Sequence, residues 1–292
     1  MTGIRYGTVF MGTMMFMRIL AAAAIVVAYS TGAAAADLGV IDPSTLSSGL
    51  SRWTILDARP PGEWKTARIP GARSFSWENY TRTDANGVEY RMLPPLQMAG
   101  ALGAMGINEK TPVVVYGDAD TSWGGEGWDI WVLSRLGHKG PIRLLKGGIQ
   151  AWRAQRLPLA SGAENPPPRK ERYQVNLNPS IDITAAEIER RRGSLTIVDV
   201  RSTLEWIKGR IPGSTRIPWN QFHTGKDRRP LSPGELRKLL AKHGIASTKP
   251  VVYYCAGGIR SAYTWLVHEL ANLPGAINYE GGMADWKKNG PQ

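Results

Sequence analysis

The stretch Val251-Val252-Tyr253-Tyr254-Cys255-Ala256-Gly257-Gly258-Ile259-Arg260-Ser261 passes from four apolar, β-rich residues through a glycine-containing turn into a segment with helical spacing. A short continuous apolar run suits a strand buried on both faces, as in a parallel sheet. Ser261 to Leu270 carries the helical spacing, with Ser261 in an N-cap-like place. Strand, tight turn and helix therefore follow one another, and Cys255 stands at the carboxyl end of the strand. In open α/β sheets ligands bind outside the carboxyl ends of the strands. The amides of a helix N-terminus have no intrahelical acceptor, and they favour an anion there.

Cys255 is the only cysteine among 292 residues. No intramolecular disulfide can form, and metal sites built from several thiolates are excluded. A buried, inert thiol at a strand end is the plainer alternative. Against it stands the turn itself: helix N-termini and neighbouring arginines favour the thiolate, so a reactive sulfur is expected here. Gly257 and Gly258 let the backbone curl around it without a Cβ in the way.

Outward from this turn, the chain repeats itself. Leu56-Asp57-Ala58-Arg59 and Glu63-Trp64 are answered by Val198-Asp199-Val200-Arg201 and Glu205-Trp206, and Arg68-Ile69-Pro70-Gly71 by Arg210-Ile211-Pro212-Gly213. Pro112 to Tyr116 matches Pro250 to Tyr254, and the pairs Trp131/Trp265, Gly147-Gly148/Gly281-Gly282 and Trp152/Trp286 follow. Strands are expected at Thr54 to Asp57, Val113 to Tyr116, Leu195 to Asp199, Val251 to Tyr254 and Ala276 to Tyr279, and a helix at Ser232 to His243. Alternating elements of this kind build a mostly parallel sheet flanked by helices. The expected organisation is a first domain over 37–162, an exposed polar, Pro-rich linker over 163–178 and a second domain over 179–292.

Residues 1–36 read as a secretory signal: Arg18, an apolar run from Ile19 to Ala28, and an A-x-A site within Ala33 to Ala36. Met17 suits a signal start, which would make residues 1–16 an upstream addition. The run is shorter than the ~20 residues a membrane span needs, so no stable span is expected after cleavage. A periplasmic or secreted location follows, where a free thiol is a liability unless buried or used.

Asp-x-Arg, Ile-Pro-Gly, Cys-x-x-Gly-x-Arg-Ser and Gly-Gly-x-x-x-Trp, nearly all of them duplicated, resemble the tandem-domain rhodaneses, which are sulfurtransferases. The resemblance covers nearly all of the expected mature chain. It implies two α/β domains in tandem, with Cys255 taking the outer sulfur of a donor as a persulfide and passing it to a thiophilic acceptor, by covalent catalysis without a cofactor. It also implies that Ala256, Gly257, Gly258, Ile259, Arg260 and Ser261 cradle donor and persulfide. Phosphatases and arsenate reductases of similar architecture place Arg six positions after Cys; here Arg260 is five positions after and Ser261 is sixth. Arg201 is a further donor-binding candidate, with a structural ion pair to Asp199 as the alternative.

Aligning the copies puts Gly117 opposite Cys255, so the first copy resembles the inactive partner domain of the family. Its longer loop carries Asp118, Asp120, Glu126 and Asp129, which read as a solvated acidic loop that repels an anionic donor; a calcium reading fails because Trp123 replaces the required Gly. Ala256 and Gly257 suit the mercaptopyruvate enzymes, but Arg68 stands where these carry His. The basic residues that follow Cys in tandem thiosulfate enzymes are missing, with Arg260 supplying the charge instead. Thiosulfate, a dianion, suits Arg260 and the net charge of +12; mercaptopyruvate is the alternative, and a carrier that holds sulfur or senses oxidants without turnover a third. The acceptor is expected to be cyanide or a thiol, a protein thiol included. Arg190-Arg191-Arg192 and Arg228-Arg229 read as solvated rather than nucleic-acid-binding. His138, His223, His243 and His268 lack metal-ligand spacing and read as solvent-facing or capping, and Trp123 and Trp219 are candidates for lining the cleft.

Overall fold

Two parallel sheets carry the repeat. In the first, β1 (Leu38–Ile41), β2 (Thr54–Asp57), β3 (Arg73–Ser74), β4 (Val113–Tyr116) and β5 (Ile142–Leu145) lie in the order β1-β5-β4-β2-β3. In the second, β6 (Thr196–Asp199), β7 (Thr215–Arg216), β8 (Val251–Tyr254) and β9 (Ala276–Tyr279) lie in the order β9-β8-β6-β7. Every neighbouring pair in both sheets is parallel. The second sheet lacks a counterpart of β1, but Asp182 makes a single parallel bridge to Asn278 of β9 at the equivalent edge. The structure is a computed structural model describing residues 1–3, 36–118, 121–163, 169–246, 248–273 and 275–291. Residues 4–35 of the expected signal segment and Asp120 lie outside the described residues. Among those residues, no helix is long and apolar enough to cross a membrane.

The duplicated motifs form one device, built twice. Asp57 at the end of β2 accepts from Arg59 Nε at 2.9 Å and Nη2 at 2.6 Å, and Asp199 at the end of β6 accepts from the same atoms of Arg201 at 2.9 and 2.6 Å. Nη2 of each arginine also donates to a carbonyl eight residues on, Ala67 and Gly209 respectively, both at 2.7 Å. The hydroxyls of Tyr116 and Tyr254, on the neighbouring strands, donate to the same two carboxylates. These hydroxyls accept in turn from the amides of Ile69 and Ile211, the first apolar residue of each Ile-Pro-Gly. Both ion pairs are almost wholly buried. In each, the carboxylate and the Nε and Nη2 of the arginine are hydrogen-bonded, the kind of pairing under which a buried charge pair is tolerated.

The two copies share one core within the compact unit Ala33–Gln292. They meet through α1 (Gly125–Arg135) and α4 (Ile259–Leu270), which follow β4 and β8; between these in the chain come α2 (Thr203–Ile207) and α3 (Pro233–Lys242), and α5 (Gly282–Asn289) ends it. At Gly127 a Cβ would lie 2.2 Å from the Cα of Tyr263, so only glycine lets the two backbones touch. Helix α3 runs as expected, with Ser232 and Glu235 closing a capping box and His243 at its C-cap.

Two expectations are corrected and one is refined. Helix α4 starts at Ile259, two residues earlier than its spacing suggested, because Gly258 takes φ 85° and serves as N-cap. The linker, exposed over most of its described residues as expected, is nonetheless strapped down over residues 169–178: Tyr173 is buried with its hydroxyl at His138, and the amides of Glu171, Asn176 and Asn178 donate to Gly103, Leu136 and Arg135 of the first copy. His138, His223 and His268 are buried rather than solvent-facing. His138 also contacts the Thr111 carbonyl and His268 the Tyr253 hydroxyl, so all three serve the core.

Candidate active site

Cys255 follows directly on β8 and is only 2% exposed. Its carbonyl accepts from the Met283 amide at 2.8 Å, and that of Ala256 from Ala284 at 2.9 Å, so the first turn of α5 holds the loop from beneath. The Gly-Gly-x-x-x-Trp motif is explained here: a Cβ on Gly282, at φ 54°, would meet the Ala256 carbonyl at 2.7 Å. Above the sulfur, Ser261 Oγ donates to Cys255 Sγ at 3.6 Å. The amides of the first turn of α4 have no partner within their own helix and converge at this end.

Arg260 is the cation of the site and is already engaged. Its Nη1 and Nη2 donate to Glu205 of α2 at 2.9 and 2.7 Å. Those hydrogen bonds hold the Glu205 carboxyl at about 2, against the opposing effect of burial. Burial works against the charge of Arg260, but Glu205 and the Cys255 sulfur outweigh it and raise the guanidinium above its ordinary range. Glu205 was not singled out from the sequence. Its signal was the duplicated Glu-Trp, in which Glu63 instead lies 3.7 Å from Arg59.

A cavity of about 350 Å³ opens over the sulfur. The second copy supplies Cys255, Ala256, Gly257, Ile259, Arg260 and Glu205, while the first copy supplies the rings of Trp77, Tyr90 and Trp123. Tyr90 rests on the loop, its Cβ only 2.5 Å from where a Cβ on Gly257 would stand. Tyr90 and Trp123 hold φ of 64° and 55°. Bulky residues adopt this region only where surrounding structure enforces it, and such strain gathers at ligand clamps. Gly258 and Ser261 belong to the same turn without lining the cavity, and Trp219 packs against Tyr263 and His223 instead. Arg201 is not brought to the sulfur: its guanidinium is held by Asp199 and Gly209 beside a neighbouring cavity.

The equivalent place in the first copy is filled. A Cβ on Gly117 would stand 2.1 Å from Glu126 Oε2 and 2.7 Å from Ser122 Oγ, so these groups occupy the space a thiol would need. Ser122 Oγ donates to Glu126 Oε2 at 2.9 Å. About 10 Å³ remains, barely a water molecule. The expectation of a solvated acidic loop is corrected here, since Asp118, Glu126 and Asp129 are all buried. Burial raises the Glu126 carboxyl, and burial together with the charges of Glu126 and Asp57 pushes Asp129 well up. Among the described residues no group of His, Cys, Asp and Glu is arranged to hold a metal ion.

The fold and this turn define a tandem α/β protein with a cysteine at one of two equivalent strand-to-helix turns. The Rhodanese-like domain family model matches residues 42–155 and 184–289, and the chain belongs to that family of sulfurtransferases. It is 30% identical over 246 residues to the sulfur carrier protein TtuD of Thermus thermophilus, covering 76% of this chain and 83% of that one. It is 28% identical to the human 3-mercaptopyruvate sulfurtransferase over 77% of this chain and 78% of that one. The crystal structure of SseA, a 3-mercaptopyruvate sulfotransferase from Escherichia coli, superposes with a TM-score of 0.74 at 20% identity, over 85% of this chain and 99% of that one.

Proposed function

We propose that the protein moves sulfane sulfur from thiosulfate to a thiophilic acceptor through a persulfide on Cys255. The Cys255 thiolate attacks the outer sulfur of thiosulfate; the S–S bond of the donor breaks and sulfite leaves with its electron pair. The acceptor then attacks the outer sulfur of the persulfide, and the electron pair of that S–S bond returns to Cys255 Sγ. The observation that carries this reading is the sulfur itself, at the floor of an open cavity, flanked by Ser261 Oγ and Arg260 at a helix N-terminus. Preorganised donors of this kind stabilise charge that develops at the reacting atoms.

Mercaptopyruvate is the second reading, and one observation favours it: Arg260 is shared with Glu205, so the cavity carries less net positive charge than a dianion prefers. Relatives carry names of both kinds, a putative thiosulfate sulfurtransferase of Mycobacterium leprae among them. Incubating the reduced protein with each donor should add one sulfur, about 32 Da, as a persulfide. The faster donor identifies the substrate, and no added mass with either would overturn the enzyme reading. Continuous sulfite release with a small acceptor separates an enzyme from a carrier that loads once. Export, expected from the sequence, supports an oxidising setting for the exchange and is tested by fractionating cells that express the full chain.

A further inference from the structure

A second cavity, of about 480 Å³, adjoins the first. The two share Tyr90, Glu205 and Ala256, so the ring of Tyr90 is a partition with the Cys255 loop on both sides of it. The second cavity is lined by Lys208, from the end of α2, and by Lys287 and Lys288 of α5. Its other charges are largely committed: Arg201 to Asp199, Glu205 to Arg260, and Lys288 Nζ to the carbonyls of Asn86 and Gly87. Lys208 and Lys287 make no ion pair among the described residues, and Glu89 is the one carboxylate of the lining without such a partner. The uncommitted charge is therefore positive, at a place reached from the sulfur by passing Tyr90 and Ala256.

We propose that this cavity is the subsite for the carboxylates of the sulfur-accepting thiol, with Lys208 and Lys287 as its cations. The proposal rests on the persulfide reading and names the acceptor class, a low-molecular-weight thiol bearing carboxylates. An acceptor seated there directs its sulfur past Tyr90 to the outer sulfur on Cys255. Its thiolate forms a new S–S bond, the bond to Sγ breaks with the electron pair remaining on Cys255, and the acceptor leaves as a persulfide. No external oxidant or reductant enters the step. Lysines act as point charges on mobile stems, which suits selection by charge rather than by a fixed fork geometry.

The test isolates the transfer step. The full chain is loaded with thiosulfate, excess donor is removed, and the loss of the added sulfur is timed with mercaptosuccinate, a dicarboxylate, and with mercaptoethanol, which is neutral. The readout is the ratio of the two second-order rate constants, so differences in intrinsic thiol reactivity cancel between variants. In Lys208→Ala/Lys287→Ala the ratio is expected to fall about tenfold, and further in Lys208→Glu/Lys287→Glu, the scale of two exposed charges. Added salt should lower the wild-type ratio towards that of the Ala variant. A ratio within about twofold of wild type in both variants would overturn the subsite while leaving the enzyme reading intact. Failure of the wild type to load sulfur at all would overturn both. Because the donor is gone before the acceptor is added, a carboxylate on the donor cannot produce the effect.

Discussion

At the ends of β4 and β8 the same strand-to-helix turn is put to opposite uses. After β8, Cys255 faces a cavity of about 350 Å³ walled by rings from the other copy. After β4, Gly117 faces a carboxyl and a hydroxyl that fill the space of a side chain, and about 10 Å³ is left. The crossing loops mirror this. The hairpin Thr81–Arg82/Arg91–Met92 carries Tyr90 over Gly257, and the matching hairpin His223–Thr224/Arg229–Pro230 brings Asp227 and Arg228 against Gly147 and the closed site. Tyr90 and Arg228 both take φ near 60°. Duplication therefore kept the scaffold and the reach of each copy over its neighbour, and divergence went into what fills each turn. The first copy still contributes, because three aromatic walls of the cavity over Cys255 belong to it.

The largest expected effect makes the two turns alike. Cys255→Ser removes the only thiol of the chain, so sulfur loading should vanish and steady-state transfer should fall by at least about 10³-fold, the scale seen when a covalent nucleophile is deleted. Intact-mass measurement and sulfite release check it. A variant that still gains sulfur would dissolve the contrast between the copies.

Next come the arginines that the copies share. Arg59 and Arg201 make the same contacts, although only the second copy carries a cysteine. If Arg201 serves the fold as Arg59 does, Arg59→Ala and Arg201→Ala should each destabilise by about 3–5 kcal/mol, because each strands a buried aspartate. Denaturant unfolding of the two variants should give matching losses. A loss at Arg59 alone, with Arg201→Ala folding normally but raising the KM for the donor, would return Arg201 to donor binding, one of the two roles the sequence left open.

Much of this was readable along the chain because the signals are local. The strands, the Asp-x-Arg ends and the Cys255 turn are runs of neighbours whose period and chemistry state their role. What was not readable depends on residues far apart. Nothing near Glu205 announces Arg260, 55 positions on, and nothing in the loop after Gly117 announces that Glu126 folds back to stand where a thiol would be. The buried histidines and Tyr173 were misread for the same reason, since a polar residue is taken as exposed until its distant partner is known. The early start of α4 is different: it was lost locally, because a glycine at positive φ can cap a helix as well as a serine can begin one.

Gly117→Cys asks whether the closed turn can be reopened. The new side chain must displace Glu126 Oε2, so it should destabilise by about 1–3 kcal/mol, the usual cost of overpacking. In a Cys255→Ser background it should take up no sulfur from thiosulfate. Sulfur loading there, read by mass, would show that the first copy lacks only a nucleophile and that its cavity reforms on demand.

The smallest effect lies beneath that turn, at Asp129, which is fully buried with neither carboxyl oxygen hydrogen-bonded. Burial, with the charges of Glu126 and Asp57, raises its folded-state value well above the ordinary one. An acid raised on folding contributes stability that is complete below its unfolded value, about 3.9 for Asp, and that is lost as pH rises through the folded value. Across that window the unfolded state has released a proton that the folded state keeps, so stability falls by about 1.4 kcal/mol per pH unit for this one group. Asp129→Asn cannot ionise and should remove that slope. Unfolding free energies measured between pH 5 and 7 should show the variant gaining on the wild type with each step upward, while sulfur transfer at the distant Cys255 stays as it was. Parallel curves for the two proteins would mean that Asp129 is ionised inside the closed copy, and the turn without a thiol would then lie over a buried charge.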